Sequence, residues 1–386
     1  MLRKITATTL IVLMFTALTF GTVNAQASAY QDNGNGTVTD ANTGLTWQQT
    51  PDFVKRSWQD AIQYCDTLSL AGQSDWRLPS VTELYSIHDV TVGWPYLDTT
   101  YFDNQFDQER NFSQYWSSTH YEVGTTHGGQ DTAFGVNFAS GHIKGYPIVG
   151  TLYVRCVRGG AYGANAFVTN GDGTVTDTAS GLVWQQADDG VARSWGDAIA
   201  YCEDLTLAGY DDWRLPNHKE LQFIVDYSGV YPAIDSAYFS IVDADGWFWT
   251  DTPAYGSPWN ADVNVAWYVA FGYATDSSGE DLHGAGAVRF APQTSDLQFD
   301  DFDEVRYSNY VRCVRGYNAA LSVGTEFSGE TAQMDAPQNA MQGQQGPGSG
   351  QPPSQGGEGG PPSGDGPPSQ GGQGGPPPGG GPPPQS

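Results

Sequence analysis

The apolar positions of the chain follow two periods, and the same order of periods is run through twice. Near the start, Thr37-Val38-Thr39 alternates behind a Gly- and Asn-rich turn, and Leu45-Thr46-Trp47 follows a second turn, a pattern that predicts a hairpin. Trp58, Ala61, Ile62, Cys65 and Leu68 then recur at helical spacing. Ser57 is suited to cap that helix, with Asp60 in its first turn, and Gly72 is expected to end it. Ser80 and Glu83 have the spacing of a capping box at the head of a second helix. Short aromatic strands between long polar loops come next, and Tyr153-Val154-Arg155-Cys156-Val157-Arg158 reads as a closing strand.

The whole plan returns further along. Asn33-Gly34-Asn35-Gly36-Thr37-Val38-Thr39-Asp40 recurs as Asn170 to Asp177, Gly44-Leu45-Thr46-Trp47-Gln48-Gln49 as Gly181 to Gln186, and Asp75-Trp76-Arg77-Leu78-Pro79 as Asp212 to Pro216, all at an offset of 137 residues. The closing run recurs as Tyr310 to Arg315 at an offset of 157, so the second copy carries a net 20 extra residues before its closing strand. A period of domain length predicts two tandem domains, residues 26–160 and 161–317, and not a solenoid.

Both ends differ from this plan. Arg3 and Lys4, the apolar stretch Leu10 to Leu18 and the small-residue run Val23-Asn24-Ala25 have the form of a secretory signal peptide over residues 1–25. The stretch is short for a membrane span, so the mature chain is expected without a transmembrane segment: secreted, periplasmic or at the cell surface. Residues 318–386 are expected to form a disordered tail, because 30 of the 44 residues from Gly343 to Ser386 are Gly or Pro and none is aliphatic or aromatic.

Charge and cysteine content narrow the chemistry. With 16 basic and 43 acidic residues, a net charge of −27 argues against nucleic acid as a partner. The first copy has 7 basic and 14 acidic residues and the second 7 and 24, so polysulfated ligands should be repelled, from the second copy most. The four cysteines take matched places in the copies, one on the first helix and one on the closing strand. This predicts disulfides Cys65–Cys156 and Cys202–Cys313 in an oxidising compartment, with four free buried thiols as the alternative.

At these residues the chain resembles the Lcl C-terminal domain family, the domain that closes a bacterial collagen-like adhesin. The resemblance rests on Asn-Gly-(Asn/Asp)-Gly-Thr-Val-Thr-Asp, Gly-Leu-x-Trp-Gln, Ala-Ile-x-Tyr-Cys, Asp-Trp-Arg-Leu-Pro and Val-Arg-Cys-Val-Arg, and it covers both copies. It implies an α+β fold: two tandem C-type-lectin-like domains, in which a helix cysteine also bonds the terminal strand. The adhesin member implies binding to glycans or sulfated polysaccharide at a surface; with the acidic charge against the sulfated ligands, the expectation is a non-enzymatic binding or adhesion protein whose partner is a glycan or a cell-surface protein. A structural component of a surface appendage or matrix, and an extracellular carbohydrate-active enzyme, are the other readings.

Candidate sites concentrate in the loops. Arg77 and Arg214 suit a ligand carboxylate, or an ion pair with a neighbouring acid such as Asp75 or Asp212 that fixes the turn. Asp32 to Asp40 has oxygen donors at alternate positions, as a calcium loop or a plain Gly/Asn turn would. His120, His127 and His142, with Glu122, are a possible zinc set in the first copy only. The second copy's long loops hold Asp300, Asp301, Asp303 and Glu304, a calcium candidate or a solvated acidic loop. Trp249, Trp259 and Trp267 beside them are candidate ligand contacts, flat rings that suit sugar faces or a packed core. Loops on a rigid scaffold are where binding usually resides, which puts the expected ligand site in the second copy. No Ser/His/Asp or Cys/His set recurs in both copies.

Overall fold

The computed structural model describes residues 29–107, 112–254, 264–295 and 304–323. The predicted signal peptide lies outside the described residues, as does the expected tail from residue 324 on; its first residues, 318–323, are instead packed on the fold, with Leu321 buried in the core and its carbonyl accepting from Asn217.

The first copy contains β1 (Tyr30–Asp32), β2 (Thr37–Asp40), β3 (Thr46–Gln48), α1 (Trp58–Asp66), α2 (Val81–Ser86), β4 (Gln114–His120), β5 (Thr132–Asn137), β6 (His142–Pro147) and β7 (Val157–Arg158). The second contains β8 (Phe167–Thr169), β9 (Thr174–Asp177), β10 (Leu182–Gln185), α3 (Trp195–Glu203), α4 (His218–Phe223), β11 (Trp247–Pro253), β12 (Val265–Ala270), β13 (Val288–Pro292) and β14 (Val314–Arg315). Strands outweigh the four short helices, as in an α+β protein.

Local chemistry sets the helix starts. Ser57 and Ser194 accept from the backbone N–H of Asp60 and Asp197, and complete capping boxes stand at Ser80/Glu83 and Asn217/Glu220. The first helix ends at Asp66 with Thr67 as its cap, earlier than Gly72 was expected to stop it. Gly72, at φ +73°, instead serves the following turn.

In each copy the opening hairpin pairs with the closing strand, in the orders β1-β2-β3-β7 and β14-β10-β9-β8. The disulfides Cys65–Cys156 and Cys202–Cys313 are formed, each with its Cα atoms 5.5 Å apart. They close chain separations of 91 and 111 residues. Loops of that length remove enough unfolded-state entropy to stabilise each fold by about 5 kcal/mol.

The two copies are not separate beads. Both fall within one compact unit, and their remaining strands form one six-stranded sheet, β11-β12-β13-β6-β5-β4. At its centre β13 runs antiparallel to β6, with Val288 opposite Ile143. Its two edge strands are covered by the closing segments: Tyr153 bridges Tyr115 and Tyr310 bridges Phe248, both parallel. These bridges cover part of each edge. A single hydrophobic cluster holds Leu84, Tyr85 and Phe134 of the first copy together with Leu221, Trp267 and Val288 of the second.

Polar groups complete the boundary. His88 Nδ1 lies 3.1 Å from His218 Nε2, Lys219 Nζ donates to Ser86 O at 2.9 Å, and Gln222 Nε2 donates to Thr82 Oγ1 at 3.1 Å. Gly141 sits where a side chain cannot go: at φ +73°, a Cβ there would lie 2.5 Å from the Trp267 ring and 2.6 Å from His88 Nε2.

Candidate functional site

The residues common to both copies hold the scaffold. Arg77 and Arg214 do not pair with Asp75 and Asp212. Their guanidinium groups instead fork onto Glu83 and Glu220, at 2.6 Å and at 2.6–2.7 Å. Those same carboxylates accept from the N-cap backbone, so one glutamate fixes both the turn and the helix start. Asp75 and Asp212 bond Arg158 and Arg315 of the closing strands. Arg155 and Arg312 are fully buried and donate to backbone carbonyls, Gln48 O and Gln49 O in one copy and Gln185 O and Gln186 O in the other. These side chains are committed to the fold and offer no free edge to a ligand.

The expected metal sets do not assemble among the described residues, where no group of three or more His, Cys, Asp or Glu is placed to hold a metal ion. His120 bonds Glu122 at 3.0 Å and Asp131 at 2.6 Å, His127 contacts Gly145 O at 3.1 Å, and His142 is buried against Trp267 and Phe290. The Asp32–Asp40 loop is a hydrogen-bonded turn in which Asn33 ties Thr37 and Thr39. Asp300, Asp301 and Asp303 lie outside the described residues, as does Trp259. Glu304 is described: both its oxygens face the Arg306 guanidinium, at 2.9 and 3.0 Å, and Thr275 also donates to it. The adjacent arginine holds its carboxyl below the usual range.

Trp249 and Trp267 must be corrected as surface contacts. Both are fully buried: Trp249 packs in the core and donates to Arg193 O at 2.9 Å, and Trp267 stands at the boundary between the copies against His88, Tyr96 and His142. Trp249 matches Trp116 of the first copy, which donates to Arg56 O in the same manner at 2.8 Å. A ring in that place is part of the framework.

What the second copy does expose is a pair of tyrosines. Tyr231 and Tyr273 pack with ring centroids 4.6 Å apart and planes tilted by 34°, and they remain 38% and 37% exposed. Tyr231 comes from the loop after α4, and Tyr273 from the connection between β12 and β13. The Tyr231 hydroxyl donates to Asp245. Partial burial, then that hydrogen bond to a carboxylate, raise its pKa far above the ordinary phenol value. Beside them Arg306 lies 3.9 Å over the Trp247 ring and donates to Asp245 O at 3.1 Å. Trp247 in turn donates to Tyr273 O at 2.8 Å, which ties the rigid sheet to the loop that carries the exposed ring.

The pair is built where the copies diverge. The β5–β6 connection is short, residues 138–141, whereas β12–β13 takes residues 271–287. The β6–β7 connection is residues 148–156, and its counterpart β13–β14 is 293–313. Tyr273 comes from the first extension, and Glu304 and Arg306 from the second. Sequence reasoning placed the site in these loops but chose tryptophans over the tyrosines. The available signal was Tyr231 aligning with Trp94 and Tyr273 falling inside extra sequence.

The Lcl C-terminal domain matches residues 36–158 and again 173–291. This chain belongs to the Lcl C-terminal domain family, in two tandem copies. The second match stops at Ala291, where this Lcl-type chain enters its β13–β14 extension and before Cys313. No curated protein matches the chain. Both tyrosines lie within the second match; Tyr231 takes the place of Trp94, and Tyr273 falls in the long β12–β13 connection. Among the described residues, no helix is long and apolar enough to cross a membrane.

Proposed function

We propose that the chain is an exported, non-enzymatic binding or adhesion protein. In this reading it works outside the cytoplasm or at the cell surface, its copies are C-type-lectin-like, and loops of the second copy attach to a glycan or a surface protein. The observation that carries the reading is the exposed Tyr231–Tyr273 pair, in which Tyr273 comes from a β12–β13 connection far longer than its counterpart in the first copy. An aromatic pair kept in solvent next to carboxylates suits a ligand with apolar faces and hydroxyl edges. Family membership supports it, since the family takes its name from an adhesin. The lectin-like reading is supported by the disulfide from first helix to closing segment and by the hairpin that pairs with the closing strand.

The test is a glycan array probed with the mature chain, with and without calcium. Retention of a defined set of glycans is expected. Copurification with a surface assembly and no glycan retained would favour a structural component of an appendage or matrix. Turnover of an array member would overturn the non-enzymatic reading.

A further inference from the structure

We infer that the Tyr231–Tyr273 surface takes a pyranose chain free of anionic groups and excludes sulfated and uronic-acid glycans. This rests on the binding reading above and names the ligand class for the same site. The two tilted rings pack on each other while more than a third of each stays in solvent, so contact between them restrains both and an apolar sugar face can cover them at a reduced ordering cost. The bond from Tyr231 to Asp245 further restrains one ring. Asp245 is exposed and uses Oδ1 for that bond, so its Oδ2 is left to accept from a sugar hydroxyl.

Charge decides the class. The Asp245 carboxylate accepts from Tyr231, and its backbone carbonyl accepts from Arg306, which is paired with Glu304. Arg306 is already engaged: Nε and one terminal nitrogen face Glu304, the other terminal nitrogen donates to Asp245 O, and its plane lies on Trp247. A sulfate or uronate would therefore meet the exposed Asp245 carboxylate and a cation whose charge Glu304 already offsets. The second copy, with 7 basic and 24 acidic residues, adds a repulsive field in the same direction. A hydroxyl-rich uncharged sugar meets acceptors and an aromatic face.

The experiment titrates the mature chain with the strongest neutral array member and, in parallel, with heparin. Binding of the neutral glycan should vary little with salt, because no ion pair forms. Tyr231→Ala and Tyr273→Ala should each weaken it about tenfold or more, as loss of an aromatic anchor does. Tyr231→Phe should stay within about threefold, because the ring is kept. Tyr317→Ala, at a residue 68% exposed, should change nothing. Near-ultraviolet circular dichroism on each variant separates loss of binding from loss of fold. Retention of heparin or uronic-acid glycans in place of neutral ones overturns the inference. So does neutral binding that survives both alanine variants, which would leave the binding reading standing and move its site. Capture of a lysine-rich protein with no glycan retained overturns the ligand class, and an array with no hits at all removes the glycan branch of the proposed function with it.

Discussion

Set side by side, the two copies keep one framework and differ in where their surface lies. Trp116 and Trp249 hold matching places and donate to matching carbonyls, Arg56 O and Arg193 O. Arg155 and Arg312 occupy the same nest of backbone carbonyls. Divergence begins at the aromatic before the proline that follows the second helix. In the first copy Trp94 packs on Phe106 at 4.6 Å, a residue upstream of the sheet strands. In the second, the aligned Tyr231 packs at the same distance on Tyr273, which the β12–β13 extension supplies. A framework held by buried arginines and a disulfide tolerates long insertions because loop entropy grows only slowly with length. The lesson is that the shared motifs hold the framework, and the unshared lengths change which aromatic reaches the surface.

The sharpest way to break the comparison is to remove one disulfide at a time. Replacing Cys65 and Cys156 with alanine, or Cys202 and Cys313, should each cost roughly 2–5 kcal/mol in chemical denaturation. Because the copies share a sheet and a core, each loss should lower one common transition. Two separate transitions, with only the edited copy weakened, would show that the copies fold independently. Non-reducing peptide mapping checks the pairing itself.

A smaller effect concerns the boundary. Gly141→Ala should destabilise by roughly 3 kcal/mol, since it adds a left-handed penalty to an overlap with Trp267 and His88. Gly72→Ala has the same backbone sign but nothing within 4 Å, and should cost only about 1 kcal/mol. Equal losses would mean that the boundary repacks without cost.

The smallest effect is acid sensitivity. His88 and His218 are fully buried, one from each copy, and desolvation followed by the nearby positive charge holds both imidazoles well below their ordinary pKa. The groups that face them are Tyr85, Tyr96, Trp267, Thr252 and Lys219, and none is a carboxylate. The unfolded chain therefore binds protons first as the pH drops, so stability is full above about pH 6.5 and is lost below it. Asp251 acts oppositely, because burial pushes its carboxyl up to about 6 and acid relieves it. A net loss of about 2 kcal/mol between roughly pH 7.5 and 5.5 is expected from the balance. Denaturation at both values checks it, and unchanged stability would mean that the imidazoles gain a partner on protonation.

The elements that local chemistry dictates were legible in the sequence. Hairpin, caps, capping boxes and cysteine pairing depend on residues close together or on positions matched by the repeat. The joined sheet was not legible. β5 and β12 are buried at every position, so they carry no alternation to show which face meets which partner. For the same reason Trp267 looked available for a ligand: its place in the sequence is next to loops, but its strand runs beneath the boundary. The partner of Arg77 was misread because Asp75 is nearer in sequence, whereas the helix start brings Glu83 into fork geometry. Tyr273 was hidden in an insertion whose length was visible and whose path was not.

The two disulfides also have a mechanical consequence. Suppose tension is applied between the two ends of the chain, as on an attached particle in flow. The backbone between Cys65 and Cys156, and between Cys202 and Cys313, then lies outside the load path, because force crosses each covalent bridge. Those segments span 91 and 111 residues and hold back roughly 700 Å of contour that would otherwise pay out. Every strand of the joined sheet is inside one of these two protected segments. Under load the opening hairpins can peel and the β6–β13 joint can part, while the strands within each bridged segment, and the Tyr231–Tyr273 surface, are shielded from extension until a sulfur–sulfur bond is reduced.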